Sequence, residues 1–445
     1  MDVYQEYKGK CCTADQAVQV VKDGDWVDYG MSCAYPTALD KALARRQGDL
    51  KDIKVRNAIS CHPVAILEAD PENETFTYNL WHCSAIDRKY LDAGRAYHEP
   101  MLFRDCGSYY TRGFAPVDVA MITVAPMDRH GNFSFGLTNG CTQEMLDAAE
   151  TIIVEVNPNM PVVFGMGSDH IHVSKVQAIV ESQEAVSLAP NREPSAIDKQ
   201  IAENIFPYLH DGITLQLGIG GMPNALGILI AESDLKDLGM HTELMSDGYL
   251  NLYKAGKITN DKKPFQRGKG VFSICMGSKE LYEFLDHNQD VLSAPMHYVN
   301  NPETIRQLDD FISINSCIAA DLYGQVCSES AGTRHISGTG GQLDFVTGAY
   351  AADHGKAFLA MPSSRVDKQG IRHSNILPRF TAGDIITTPR TQAPYMVTEY
   401  GVANLSGLAT WQRAEALINI AHPDVREDLI KAAEAQHIWR RSNKC

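Results

Sequence analysis

The sequence predicts an α/β protein built of two tandem, structurally similar open α/β domains with mostly parallel sheets. Three observations lead there: a strand–glycine–helix pattern occurs twice, further matches follow in the same order, and short apolar runs alternate with helical patterns. The segment from Asp23, DGDWVDYGMSCAYPTAL, and the one from Asp211, DGITLQLGIGGMPNAL, each give an Asp-Gly turn, a short apolar strand, a glycine and a Pro-x-Ala-Leu helix start. LKDIKVRNAIS from Leu50 meets LKDLGMHTELMS from Leu235, and ITVAPMDRHGNFSFG (122–136) meets NSCIAADLYGQVCSES (315–330) through a shared D-x-x-G turn. The offsets are 188, 185 and 193 residues, so one α/β unit has been duplicated in tandem.

Within each copy, ITLQLGI, TIIVEV and AFLAMP read as strands, and PNALGILIAESD and MLDAAE as helices. The second copy's first strand ends at Gly218 and its helix begins near Pro223, a residue favoured at the first helical position. Open α/β folds place ligands at such turns, outside the carboxyl ends of the strands. A chain of 445 residues exceeds one ordinary core. The boundary is expected near residues 185–200, where SLAPNREPSAID brings two prolines between periodic segments, giving domains 1–190 and 191–445. DKQIAENIFPYL reads as the first helix of the second half.

Composition excludes several classes. Hydrophobic residues make up 44% and charged residues 21%, and no run is long and apolar enough for a membrane span. The amino-terminal MDVYQEYKGKCC shows no basic stretch followed by an apolar core, so a soluble cytoplasmic protein is expected. A net charge of −15 argues against nucleic acid and anionic membrane surfaces as partners. Eleven cysteines lie scattered without a CxxC pair and read as free thiols. His170 and His172 alternate in DHIHV, but no further ligands follow at a recognisable spacing, so no metal is assigned.

The two copies differ where chemistry would sit. Aligning LKDIKVRNA with LKDLGMHTE sets Ala58 opposite Glu243, a methyl group against a carboxylate. Gly30-Met31-Ser32-Cys33 falls opposite Gly218-Ile219-Gly220-Gly221, so only the second copy leaves the backbone bare for close approach of a ligand. A second glycine loop, SGTGGQLDF, carries Gly338, Gly340 and Gly341 into an apolar helix. A glutamate at a strand end is commonly a solvated or paired carboxylate, and a GxGG turn a tight corner. These residues alone reach an α/β ligand pocket with one carboxylate and amide-lined loops. They leave open an enzyme, a non-catalytic ligand-binding protein and a sugar-phosphate isomerase.

QLGIGGMPNALGILIAESDLKDLGMHTELMSDGYLNLYKAGKI, SESAGTRHISGTGGQLDFVTGAY and VTEYGVANLSGLATWQRAEALINIAHPDVREDL resemble the acetyl-CoA hydrolase/transferase family, and the likeness covers nearly the whole chain. The resemblance implies transfer of coenzyme A between short-chain carboxylic acids, with butyryl-CoA as donor and acetate as acceptor. 4-Hydroxybutyrate or propionate transfer and acyl-CoA hydrolysis are its alternatives. It implies that Glu243 forms a glutamyl-CoA thioester and that Gly218, Ile219, Gly220, Gly221 and Met222 form a CoA-contacting turn. Ile318, Gly341 and Lys368 are implied as further CoA contacts, Gly340 and Gly341 as oxyanion donors, and Asn300 as a positioner. Coenzyme A enters as substrate, with no separate cofactor, and a homo-oligomer is the family expectation. The resemblance also marks one departure: Asn375 occupies the place of an arginine common in relatives, so either Arg372 or Arg379 replaces it or the contact is absent here.

Overall fold

The computed structural model describes residues 2–189, 192–392 and 395–443. The boundary drawn between 190 and 191, and Cys445, lie outside the described residues. A seven-stranded sheet is formed by β1 (Trp26–Tyr29), β2 (Ile53–Asn57), β3 (Phe76–Leu80), β4 (Ala96–His98), β5 (Val119–Val124), β6 (Thr151–Val156) and β7 (Ala178–Glu181). An eight-stranded sheet contains β8 (Thr214–Leu217), β9 (Gly239–Met245), β10 (Gly270–Cys275), β11 (Val291–Ser293), β12 (Phe311–Ser316), β13 (Lys356–Ala360), β14 (Tyr395–Thr398) and β15 (Gly401–Asn404).

The spatial orders are β4-β3-β2-β1-β5-β6-β7 and β11-β10-β9-β8-β12-β13-β14-β15. Counted from the first strand of each copy, they coincide over seven strands. Registers agree too. Val27 pairs with Val55 and Val119, and its counterpart Leu215 pairs with Met240 and Ile312, residues related by the offsets read from the sequence. All pairings of the first sheet are parallel, whereas β15 returns antiparallel to β14.

The turns repeat atom by atom. Asp23 Oδ1 accepts from the Lys51 amide at 2.9 Å, and Asp211 Oδ1 from the Lys236 amide at 3.0 Å. In the D-x-x-G turns, Asp128 Oδ1 accepts from the amides of His130 and Asn132, and Asp321 Oδ1 from those of Tyr323 and Gln325.

The apolar runs form strands because both faces of the first sheet are covered. Val119 and Met121 pack in one buried cluster, and the alternating Ala120, Ile122 and Val124 pack in another. The helices that matter for the site are α1 (Thr142–Ala148), α2 (Ala196–Ile205), α3 (Gly221–Glu232) and α4 (Gln342–Ala351). Pro223 is thus the third residue of α3, because Gly220 rather than Met222 ends the turn. The helix expected from DKQIAENIFPYL starts at Ala196, where Ser195 and Asp198 form a reciprocal capping box.

Two compact units divide the chain. One comprises Met1–Pro190, Glu243–Met245 and Val271–Val299, and the other Asn191–Thr242, Ser246–Gly270 and Asn300–Cys445. Among the described residues no helix is long and apolar enough to cross a membrane.

Candidate active site

The second unit presents two amide-lined turns. After β8, the Gly218 amide donates to Ile314 O at 2.9 Å, so the backbone stays bound to β12 for one residue past the strand. Gly220 then takes φ 121° and ψ −173°, a conformation closed to side-chain-bearing residues, and reverses the chain into α3. A Cβ on Gly221 would lie 2.4 Å from Asp198 Oδ2. No side chain caps α3, so its first amides face outward at the positive end of the helix. Met222 is buried, whereas Ile219 is 54% exposed. Ile318 lies two residues beyond β12, beside β8, with its amide bound to Cys327 O at 2.9 Å. Thus Gly218–Met222 and Ile318 stand together at the carboxyl ends of two neighbouring strands.

The second turn leads into α4. Gly340 has φ 56°, and Gly341 occupies the cap position, again without a side-chain cap. The first helical residue is fixed from both ends of its amide: Gln342 Nε2 donates to Thr388 Oγ1 at 3.0 Å, and Ser328 Oγ donates to Gln342 Oε1 at 2.7 Å. Asn300 is fully buried, and its Nδ2 reaches Asp344 Oδ2 on α4 at 3.4 Å. Its contact is therefore with the helix that the glycines open.

Lys368 lies on a different element, a hairpin that follows β13. It is exposed at the tip of the hairpin Ser364–Val366/Arg372–Ser374, in a turn closed by the Gly370 amide on Asp367 O. Neither arginine offered as a substitute is uncommitted. Arg372 Nη1 donates to Ser364 Oγ and its Nε to Asp424, and Arg379 lies over the Tyr323 ring. Asn375 itself donates to Pro362 O.

Glu243 is the fifth residue of β9, half-buried between buried Thr242 and Leu244, and it counts with the first compact unit. Its counterpart Ala58, the first residue after β2, is 2% exposed. The first copy's turn is filled by side chains: a Cβ on Gly30 would lie 2.3 Å from Ala34 O, and Cys33 Sγ lies 3.5 Å from Tyr282 Oη.

The sequence reading missed a buried charged cluster in the first unit. Arg56 Nη1 donates to both oxygens of Asp28 at 3.0 Å, its Nε meets Glu99 Oε2 at 3.4 Å, and Trp81 Nε1 donates to that same Glu99 oxygen. Burial raises the Asp28 pKa to about 6 against the opposing pull of Arg56 and Tyr110. The available signal was one charge inside each of two apolar strands, WVDY and IKVRN, at positions that pair. His170 and His172 meet Asp169 and Ser174 locally, and the ten described cysteines are free thiols.

Two open α/β halves, the second with amide-lined turns at its strand ends, define a fold of the CoA-transferase type. RipA from Yersinia pestis superposes with a TM-score of 0.91 at 35% identity, over 98% of this chain and 100% of that one. The chain belongs to the acetyl-CoA hydrolase/transferase family: residues 1–190 match its N-terminal domain and residues 277–433 its C-terminal domain. It is 47% identical to the butyryl-CoA:acetate CoA-transferase of Anaerostipes caccae over 100% of both chains. It is 39% identical to the 4-hydroxybutyrate coenzyme A transferase of Clostridium kluyveri, over 97% of this chain and 98% of the relative.

Proposed function

We propose that this chain is a cytoplasmic butyryl-CoA:acetate CoA-transferase that works by a ping-pong route through a thioester on Glu243. The observation that carries the reading is the asymmetry of the duplication. At one register position of the second strand, the first copy holds a buried methyl group and the second a carboxylate. Full-length similarity to a butyryl-CoA:acetate transferase supports the choice of substrates.

In the first half-reaction the Glu243 carboxylate attacks the butyryl thioester carbonyl. Amides of Gly340 and Gly341 stabilise the oxyanion, and collapse yields a mixed anhydride and CoA thiolate. The thiolate, held by the Gly218–Met222 turn, attacks the Glu243 carbonyl and releases butyrate, leaving glutamyl-CoA. Acetate then attacks that thioester, the thiolate leaves and returns to the acetyl carbonyl, and acetyl-CoA departs with Glu243 restored. Thioester energy is conserved throughout, and electrostatic stabilisation is supplied by amides of the chain itself. Binding of the long CoA moiety positions the reacting carbonyl.

A hydrolase is the competing reading within the family. Butyryl-CoA incubated with and without acetate separates them. The proposal expects acetyl-CoA to form with acetate and little free CoA to appear without it. CoA release at a rate that acetate does not raise would reject transfer.

A further inference from the structure

Glu329, in the second unit, is a buried carboxylate, 4% exposed, that the mechanism above does not use. It stands just before a tight hairpin in which Ser330 pairs with His335 and Ala331 with Arg334. The hairpin brings the chain back past Glu329 on its way to α4, and hydrogen bonds tie the two stretches together. The Glu329 carbonyl accepts from the amides of Ile336 at 2.7 Å and Ser337 at 3.2 Å, and Glu329 Oε2 accepts from Thr339 Oγ1 at 3.1 Å. The preceding residue holds the far end of the loop, where Ser328 Oγ donates to Gln342 Oε1 at 2.7 Å. The dipeptide Ser328–Glu329 therefore grips the loop on both sides of Gly340 and Gly341.

These two glycines need holding. Glycine has more backbone freedom to lose on ordering than any other residue. Gly340 is left-handed, with φ 56°, and Gly341 right-handed, with φ −100° and ψ 4°. Such an alternation turns successive amides toward one side, the geometry that binds anionic oxygens. Both residues are buried, and among the described residues neither amide donates to an acceptor. Buried amides are rarely left without one, so the loop is built to receive an oxygen from a ligand. A carboxylate this close in sequence would compete for those amides. The Thr339 hydroxyl gives it a partner one residue before Gly340, and a hydrogen bond to a charged acceptor is about twice as strong as a neutral one.

We propose that Glu329, acting through Thr339, is a positioning residue for the transfer reaction: their hydrogen bond sets where the Gly340 and Gly341 amides meet the oxyanion. The proposal rests on the CoA-transfer reading, in which those amides stabilise the attacked carbonyl oxygen, and it adds the side chains that place them. Oxyanion donors act in the transition state, so their displacement lowers kcat and leaves the affinity for CoA largely intact.

The test compares Thr339→Val, which keeps the shape of the side chain without the hydroxyl, and Thr339→Ser, which keeps the hydroxyl. With butyryl-CoA and acetate, Thr339→Val is expected to lower kcat by about tenfold or more, while the Kd for CoA from calorimetric titration changes by less than about threefold. Thr339→Ser is expected to recover kcat to within about threefold of the parent. Thr339→Ala is expected to show the same loss as Thr339→Val, which keeps the question answerable if the valine variant does not fold. Adding Glu329→Gln to Thr339→Val is expected to cost nothing further, because the two side chains act through one bond. Parental kcat in the folded valine or alanine variant, an equal loss in Thr339→Ser, a Kd that rises as far as kcat falls, or additive losses in the double variant would overturn the positioning role alone. A parent protein that transfers CoA from no donor and forms no CoA adduct on Glu243 would overturn the CoA-transfer reading beneath it.

Discussion

Replacing Gly220 by alanine isolates the contribution of one backbone conformation. A Cβ at this position has nothing within 4 Å, so the substitution creates no clash. The cost comes from φ 121° and ψ −173°, a region essentially reserved for glycine, and amounts to about 1–3 kcal/mol. For a domain of 150–250 residues, about 2–4 °C of Tm is lost per kcal/mol, so the variant should melt roughly 2–12 °C below the parent. Gly221→Ala is the steric control. Its Cβ would meet Asp198 Oδ2 at 2.4 Å, the oxygen that accepts from the Ser195 amide at 2.9 Å and hydroxyl at 2.7 Å. Displacing Asp198 adds loss of the α2 cap, about 1 kcal/mol. Differential scanning calorimetry of both variants, with CoA titration of the folded proteins, reads the two effects. A Gly220→Ala protein that melts within a degree of the parent would refute the turn as described.

Other consequences follow from the same geometry. Lys263 is 1% exposed, with Nζ bound to Met240 O at 3.2 Å and Lys269 O at 2.8 Å, and burial lowers its pKa from 10.5 to about 7. Between those values the unfolded chain holds a proton that the folded chain lacks, so this residue makes stability rise with pH above about 7, by up to ~1.4 kcal/mol per unit. Urea unfolding from pH 6 to 9 should show that rise in the parent and lose its Lys263 contribution in Lys263→Met; identical slopes would contradict it. The two D-x-x-G turns share a geometry but differ in burial, since Asp321 is buried and Asp128 exposed. Asp321→Ala leaves the half-buried amides of Tyr323 and Gln325 unpaired around a buried side chain and should cost about 1–3 kcal/mol, against under ~1 for Asp128→Ala. Equal losses in urea unfolding would contradict the role of burial. Glu243→Asp withdraws the carboxylate by roughly 1 Å, which should lower kcat about a hundredfold at near-parental Tm; parental turnover would reject Glu243 as nucleophile.

Much of this architecture was readable before any coordinates, because a duplication states each element twice. DGDWVDYG and DGITLQLG gave the same turn, strand and glycine, and the registers Val27–Val55 and Leu215–Met240 follow from that alignment. Gly220 and Gly340 were visible as glycines where side chains are excluded, and both have positive φ. What escaped the sequence depends on distant residues. The grouping of Glu243–Met245 and Val271–Val299 with the first compact unit is a matter of long-range packing. Arg56 and Asp28 become one buried cluster only when β1 and β2 pair, and Glu99 joins from beyond β4. Nothing in NDKKPFQRGK sets Lys263 apart from its neighbouring lysines, yet its side chain is folded inward beneath Gly239.

On this account a carboxylate in the second copy becomes a transient carrier of CoA, bound as a thioester. Intact-mass analysis of the protein mixed with butyryl-CoA in the absence of acetate tests it directly. The expected result is a gain equal to a CoA adduct, removed by hydroxylamine with the label mapped to Glu243 and absent from Glu243→Ala. A label on another residue, or turnover with no adduct under the same trapping, would contradict it.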